Sequence, residues 1–506
     1  MLTILALTLA QAAPTTIQVP ADYPTLQLAI NAAGSGDIIV VAPGTYPESI
    51  IFVGKSVTLT SSGGPQVTTI DGSGFLKSVV TYQGSSGVGT SMLQGFTITG
   101  GDTVIGGGVL TDTDLDVDNC IFTGNMADTG AGMASTGTDA DLTLTACTFA
   151  DNLALNLGGG LYVSEAQSAR SVSVADSLFR DNTAANGGGA YLNRNNSDCA
   201  VTRCTFLNNE ATDSGGGLQQ VAGDGLSHSL AVQDSVFANN EASNDGGGIH
   251  NAEADDIVLN CTLYANEAGM IGGGLYRGGS VVAVTTLANN IFWDNEASVS
   301  GAQIEGAGPL QYNLIQGASP SFGVGTINQA PGFRGAGSND FRLRAGSPCI
   351  DAGDTTLVTS TIDILGLPRT ADDLGTPDTG AGVAPMVDLG ANEFQGDSTG
   401  QVPAVIVNSG PLQAGQFASL KAIAMPPGQP TWIFASSLGN GPTFVSALEV
   451  YLDLTSPRSY FTARPSDING EVVWDFTMPP GASGRTIFFQ AAQFQLKTGI
   501  LTESVL

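Results

Sequence analysis

Seven times between Phe122 and Asn295 the chain repeats Phe-x-x-Asn, with Leu263 standing once for the aromatic, and each time a Gly-rich tripeptide and an apolar residue follow. The Phe positions, Phe122, Phe149, Phe179, Phe206, Phe237, Leu263 and Phe292, are spaced by 26 to 31 residues. A second column holds Asn125, Asn152, Asn182, Asn209, Asn240, Asn266 and Asn295. A third, Val117, Leu144, Val174, Val201, Val232, Val258 and Leu287, falls five residues before the Phe position without adjustment. Register kept over so many units marks a solenoid, whose units bury their apolar face only against neighbours.

The units are rich in Gly, Thr, Ser, Asn and β-branched residues and alternate with period two over stretches such as Asp141 to Thr145. That pattern fits turns of strand rather than helix pairs. Three short strands per unit, separated by turns, make a single-stranded parallel β-helix, an all-β fold. The 68 glycines lack a collagen period and suit a coil with several sharp turns, while 506 residues imply more than one domain.

Acidic residues outnumber basic ones, 46 to 16, for a net charge of -30. Nucleic acid and anionic membranes are therefore excluded as partners. Cations remain, with a merely solubilising acidic surface as the plainer account. Residues 1–12 have an apolar core and end Ala10-Gln11-Ala12, which reads as a signal peptide despite an n-region without Lys or Arg. The expectation is a secreted or cell-surface protein. No later stretch approaches the ~18 apolar residues of a membrane helix, so no transmembrane segment is expected after the signal.

Of six cysteines, Cys120, Cys147, Cys204 and Cys261 share the column two residues before the Phe position, where Ser177, Ser235 and Asn290 also occur. Small buried thiols are the expectation. By distance along the coil, only Cys120 with Cys147 and Cys199 with Cys204 qualify as bridges.

An open β-helix end is an unpaired edge, so covers are expected at both ends. Residues 25–33, Thr-Leu-Gln-Leu-Ala-Ile-Asn-Ala-Ala, read as a short amphipathic helix, followed by the strand-like run 37–41 and the turn Pro43-Gly44-Thr45-Tyr46. Over residues 17–72 this resembles the N-terminal cap of the pectin-lyase-like superfamily. That resemblance implies the fold, shared by enzymes and non-enzymes, and with the crossover rule a right-handed coil. Gly346-Ser-Pro-Cys-Ile-Asp351-Ala-Gly-Asp354, then Asp363 with Arg369, then Asp388-Leu-Gly-Ala-Asn-Glu393 resembles the closing motif of bacterial "choice-of-anchor Q" β-helix proteins. It implies a terminal cap of an extracellular protein. Asp363, Asp388 or Glu393 is expected to pair with Arg369, a structural ion-pair network being favoured there over a calcium site. The Phe-x-x-Asn and Gly-Gly-x repeat over residues 95–305 resembles the passengers of chlamydial polymorphic membrane proteins, which are surface adhesins. The chain departs from them in showing no pattern for a C-terminal membrane barrel.

The period stops after a linker at 395–400. Strand-like runs at 404–407, 417–424, 431–434, 448–454, 472–476 and 487–494 are expected to form an antiparallel β-sandwich. The domain reading is thus signal peptide 1–12, β-helix with both caps 13–396, and β-sandwich 403–506.

Candidate chemistry lies on outward columns. The residue after each Gly tripeptide (Leu161, Ala190, Leu218, Ile249, Leu275) points inward, so the next, Tyr162, Tyr191, Gln219, His250 and Tyr276, points out. Rings in a line can stack on sugar faces, making this a candidate glycan platform; stacking that stiffens the exterior is the plainer reading. Glu210, Glu241, Glu267 and Glu296 follow the Asn column on four successive coils. At a strand spacing of ~4.8 Å, neighbouring carboxylates repel by roughly 0.9 kcal/mol in bulk water. Calcium, which prefers hard oxygen ligands, is the candidate ion, with a solvated face as the alternative. Asp112, Asp114, Asp116 and Asp118, alternating outward along one strand, are weighed the same way. The Asn column is read as structural, its amides bonding coil to coil.

Enzyme motifs are missing. Arg170, Arg180, Arg194, Arg203 and Arg277 sit in no recognisable lyase motif, and the pairs Asp255-Asp256 and Asp372-Asp373 lack the company that polygalacturonase chemistry needs. Two carboxylates alone can hydrolyse a glycoside, so a carbohydrate-active enzyme stays as the alternative. The expectation is a non-catalytic exported scaffold or adhesin, with a polysaccharide or cell-envelope component as partner and no required cofactor. A purely structural envelope spacer is the third reading.

Overall fold

The computed structural model describes residues 13–395 apart from 85–88, 165–169, 194–196, 222–229, 253–255, 279–285, 307–309 and 374–375, together with strands between 405 and 504. Residues 1–12, expected to be a signal peptide, residues 396–404, Asp255 and Arg194 lie outside the described residues. Contact density divides the chain into two units, residues 1–287 with 292–310, and 288–291 with 311–506.

In the first unit the coils beginning at Ile38 and Thr58 carry three short strands each, and from Ser91 onward each coil carries four. One coil runs Leu115–Asp118, Ile121–Thr123, Met126–Thr129 and Met133–Ser135; the next runs Leu142–Thr145, Thr148–Ala150, Leu153–Leu157 and Leu161–Val163. They pair in parallel, Leu115 with Leu142, Phe122 with Phe149, Met126 with Leu153 and Met133 with Leu161. The expectation of three strands holds for the coils that begin at Ile38 and Thr58 and is corrected to four for the repeat coils from Ser91 onward. The extra strand begins just after the ladder asparagine, where a left-handed residue splits what reads in sequence as one segment.

Such left-handed residues recur at three corners of the coil. Asn119, Ala146, Asp176, Arg203, Asp234, Asn260 and Asn289 hold φ near +50°, from 48 to 58°, just before the Cys column. Asp151, Asp181, Asn208, Asn239, Ala265 and Asp294, with φ of 51 to 57°, precede the ladder asparagines. The first glycine of each tripeptide makes the third corner. Asn and Asp tolerate this region because a short polar side chain can hydrogen-bond locally, whereas Ala146 meets the full steric cost.

Inside, the repeat columns become physical stacks. Phe149 and Phe179 have ring centroids 4.7 Å apart at 3°, and Phe122–Phe149, Phe179–Phe206 and Phe206–Phe237 lie at 4.5 to 4.6 Å. Two residues beyond each ladder Asn, Ala127, Ala154, Ala184, Ala211, Ala242 and Ala268 are buried, a column of methyls that sequence reading did not single out. The tripeptide glycines press against both stacks. A Cβ on Gly189 would lie 2.4 Å from the Gly217 carbonyl oxygen and 2.9 Å from the Phe206 ring.

The asparagine side chains form a continuous buried ladder. Nδ2 of Asn182 donates to Asn209 Oδ1 at 3.0 Å and to the Phe149 carbonyl at 2.9 Å, while the Asn182 backbone N–H donates to the same Oδ1 at 3.2 Å. The pattern repeats from Asn125 to Asn295. Gln303 ends it, its Oε1 accepting from Asn295 Nδ2 at 2.8 Å and its Nε2 donating to the Asn295 carbonyl at 3.0 Å. Buried amides left unmatched each cost about 1–3 kcal/mol, so the stack specifies register as well as stability.

The six cysteines are free and buried, and burial raises the Cys120 and Cys204 thiols to about 12. At the N-terminal end, helix α1 (Leu26–Ala32) is capped by the Thr25 side chain. Glu48 accepts from the Leu26 and Gln27 backbone N–H groups at 2.8 and 3.0 Å. At the other end of α1, Lys55 Nζ donates to the Ile30 and Ala33 carbonyls at 2.7 and 2.8 Å.

The second unit holds the segment of the closing motif and an antiparallel β-sandwich. Val405–Asn408, Phe417–Ile423 and Val472–Thr477 make one sheet. Pro430–Ser436 and Thr486–Gln493 centre another, and Asn440–Val445, not expected from sequence, pairs with Val450–Leu454. Trp474 is buried at 1% exposure.

Replacing Asn209 by Ala strips partners from Asn182, Asn240 and the Phe179 carbonyl, and is expected to cost at least about 3 kcal/mol in denaturant unfolding. Phe206→Leu, which copies Leu263, should cost only about 1 kcal/mol. Ala146→Gly should raise stability by about 1 kcal/mol by relieving the left-handed corner.

Candidate functional site

The strand after each Gly tripeptide places the outward column in register: Tyr162 opposite Tyr191, then Gln219, His250 and Tyr276. Tyr162 and Tyr191 rings lie 5.8 Å apart at 28°, and the His250 and Tyr276 rings 4.8 Å apart at 24°. The three tyrosines are half-buried, but Gln219 and His250 are 7% and 8% exposed, which corrects the expectation of a fully outward row. These side chains fold down over the corner glycine of their own coil. Gly246 has φ +69°, and a Cβ there would come within 2.5 Å of the His250 Cβ. Only glycine permits that corner to sit beneath the ring.

Burial takes hydrogen-bonding groups with it. His250 Nδ1, Gln219 Oε1 and Asp245 Oδ1 have no hydrogen-bond partner among the described residues. Burial lowers the His250 pKa to about 4 against the opposing field of Asp213, so its imidazole is neutral at pH 7. Burial also raises Asp245, helped by Asp213, and raises Tyr276, helped by Asp245 and Glu305. The face thus combines ring surfaces, a neutral imidazole and acidic neighbours.

Glu210, Glu241, Glu267 and Glu296 lie in direct parallel register and are exposed, each followed by an alanine on the inner side. Of the aspartates at 112–118, only Asp116 and Asp118 belong to the strand; Asp112 and Asp114 fall in the turn before it, correcting the expected four-residue alternation. They tie neighbouring coils together. Asp112 accepts from the Gly84 N–H at 2.8 Å, Asp114 from the Asp141 N–H at 3.0 Å, and Asp118 from Gln94 Nε2 at 2.8 Å. The coil arginines are likewise committed to local contacts: Arg203 Nε reaches Asp176 at 2.6 Å, Arg180 reaches Asp181 at 2.6 Å, and Arg170 Nη1 donates to the Gly137 carbonyl at 2.6 Å.

The closing segment gathers a second set of carboxylates. Asp363 Oδ1 accepts from the Leu365 and Leu367 N–H groups at 2.9 and 2.8 Å, and its Oδ2 from the Glu393 N–H at 3.0 Å. Asp388 accepts from the Asp351 N–H at 2.8 Å, and Asp354 caps a 3₁₀ turn through the Thr356 N–H at 2.9 Å. Arg369 Nη1 and Glu393 Oε2, both fully buried, are 3.9 Å apart, while Arg369 Nη2 donates to the Gly390 carbonyl. Glu393 is therefore an ion-pair partner of Arg369, while Asp363 and Asp388 accept from backbone donors as well as lying in its field. With one guanidinium for several buried acids, burial holds Glu393 well above the carboxylate range and Asp388 at about 8.

Asp351 stands apart. Its side chain is 0% exposed, neither carboxylate oxygen reaches hydrogen-bond geometry with a donor among the described residues, and Asp372 and Asp378 converge on it. Burial first, then Asp372 and Asp378, raises its pKa to about 7, with the Asp373 backbone amide acting in the opposite direction. Asp372 and Asp378 were not among the expected cap residues, because contact across a loop leaves no period in the sequence.

A family model described as a right handed beta helix region matches residues 55–324, more than half of the chain. No curated protein matches it.

His250 yields a pH prediction. Its folded pKa of about 4 lies below the unfolded 6.5, so stability present above pH 6.5 is lost as pH falls towards and through 4, by up to about 3 kcal/mol. Denaturant unfolding at pH 7 and pH 4 should show wild type losing more than His250→Gln by about that amount. Equal losses in the two proteins would contradict the burial of a neutral imidazole.

Proposed function

The chain belongs to the right-handed β-helix family, and on that premise we propose that it is an exported scaffold that holds a polysaccharide, without cleaving it, along the Tyr162–Tyr276 face. The observation carrying this reading is the register of partly exposed tyrosine rings along one column of the coils. Tyr162, Tyr191 and Tyr276 offer partly exposed rings on which a sugar face can stack. Between them, Gln219 and His250 are buried with Oε1 and Nδ1 away from solvent, so the rings carry the contact. Rings for C–H faces suit a neutral glycan, and the net charge of -30 argues against polyanions such as nucleic acid or an acidic glycan.

Export is supported by the apolar segment 1–12 and by the resemblance of residues 346–393 to caps of extracellular β-helix proteins. Among the described residues, no helix is long and apolar enough to cross a membrane. The non-catalytic reading draws on the regularity of the coils, which build little wall around the ring column. A depression of about 280 Å³ near the N-terminal end is lined by Ser49, Lys77, Ser78 and Thr81 among others, with no carboxylate pair for glycoside hydrolysis.

A glycan array read for binding, with each hit assayed for product, tests this directly. Binding without release of oligosaccharide is expected, and a folded Tyr162→Ala, Tyr191→Ala, Tyr276→Ala triple variant should bind at least about tenfold more weakly, since each stacked ring contributes on the order of 0.5–1.5 kcal/mol. Unchanged affinity in that variant would remove the ring column from the proposal, and product release would replace the scaffold with an enzyme.

A further inference from the structure

We infer that Asp351, Asp372 and Asp378 form a calcium site in the acidic segment 346–393 of the second unit. One carboxylate oxygen from each residue lies within 4.8 Å of the other two. Calcium holds oxygen ligands at about 2.3–2.6 Å, so two ligands on one ion are separated by at most about 4.6–5.2 Å. The three oxygens therefore already stand at distances that a single ion can span.

The cluster is more than an acidic patch because of Asp351. Asp372 and Asp378 are exposed, but the Asp351 side chain is 0% exposed and both of its oxygens lack a hydrogen-bond partner among the described residues. Buried carboxylates elsewhere in the same segment are treated differently: Asp363 accepts three backbone N–H groups, and Asp388 accepts from Asp351 itself. A buried carboxylate with no donor in hydrogen-bond geometry is costly unless a cation faces it. The backbone holds Asp351 in this position, with φ +53°, its N–H given to Asp388, and its carbonyl accepting from Thr379 and Gly380 at 2.9 and 3.0 Å. Those last two bonds also bring Asp378 alongside.

The donor set selects the ion. All three ligands are hard oxygens, with no imidazole or thiolate among them, which disfavours zinc and copper. Magnesium needs a near-ideal octahedron at about 2.0–2.1 Å and sheds water reluctantly, whereas calcium accepts irregular shells completed by water. Three carboxylates, two of them solvent-exposed, suit the weak affinities of extracellular modules, about 10⁻⁴–10⁻³ M.

The test uses the full chain, stripped with EDTA and titrated with calcium chloride by calorimetry in about 0.15 M KCl, where diffuse attraction to an acidic surface is screened beyond about 8 Å. One saturable calcium ion is expected, together with a rise in the thermal unfolding midpoint. Asp372→Asn and Asp378→Asn, both at exposed positions, should each weaken binding by about tenfold or more, as loss of one charged ligand requires. Asp351→Asn should abolish the calcium-dependent rise and raise the midpoint in EDTA, because it removes an unmatched buried charge. A Glu210→Gln, Glu241→Gln control should keep the full calcium response. The inference is overturned by absence of saturable binding at millimolar calcium, by unchanged affinity in the Asp372 and Asp378 variants, or by an equal response to magnesium.

Discussion

A buried primary amide has two donors and one strong acceptor to satisfy, and in this molecule the neighbour best placed to do so is the same residue one coil away. Each ladder asparagine is 0–3% exposed, and each from Asn125 to Asn266 takes part in bonds to the coils on both sides. Water cannot substitute for a missing rung. A slip of one residue between adjacent coils would leave amides, backbone N–H groups and Phe carbonyls unmatched together, at about 1–3 kcal/mol for each group. Apolar stacking alone would tolerate such slips far better, since rings and aliphatic chains accept a range of offsets.

The other regularities follow from keeping the asparagines aligned. The left-handed corner before each one turns the chain so that the amide points inward, and Asn or Asp fills most of those corners because most other side chains clash there. The Gly tripeptide lies against the amide and the Phe ring with no room for a Cβ. With the interior specified by Phe, Asn, Ala and Gly, the outward positions are free to vary. Tyrosines, glutamates, Gln219 and His250 can then differ from coil to coil without disturbing the core, and the proposed polysaccharide face is built from that freedom.

The stacked columns were legible in the sequence because a solenoid converts fixed spacing into contact: Phe149 meets Phe179 and Glu210 meets Glu241 with no knowledge of loops. The same logic located the cap helix, whose Thr25 cap and apolar spacing are local signals. What stayed hidden depends on geometry that spacing does not encode. The fourth strand needs the left-handed residue before each ladder Asn, which Asp and Asn also adopt in ordinary turns. The burial of Gln219 and His250 depends on how the ring column folds over its own glycine corner. Gln303 ends the ladder from a position that in other coils is a glycine, so its role emerges only where its amide meets Asn295. Asp372 and Asp378 reach Asp351 through a loop outside the repeat, where no period applies.

The ladder can be interrogated without perturbing it, by native-state hydrogen exchange of the side-chain amide protons of Asn182, Asn209 and Asn240. If these amides pin the coils, their protons should exchange only through global unfolding, with the same free energy as the backbone N–H groups of Phe179 and Phe206. Exchange as fast as that of an exposed amide such as Asn339 would show that the rungs open independently, and the register would then have to be held by something else.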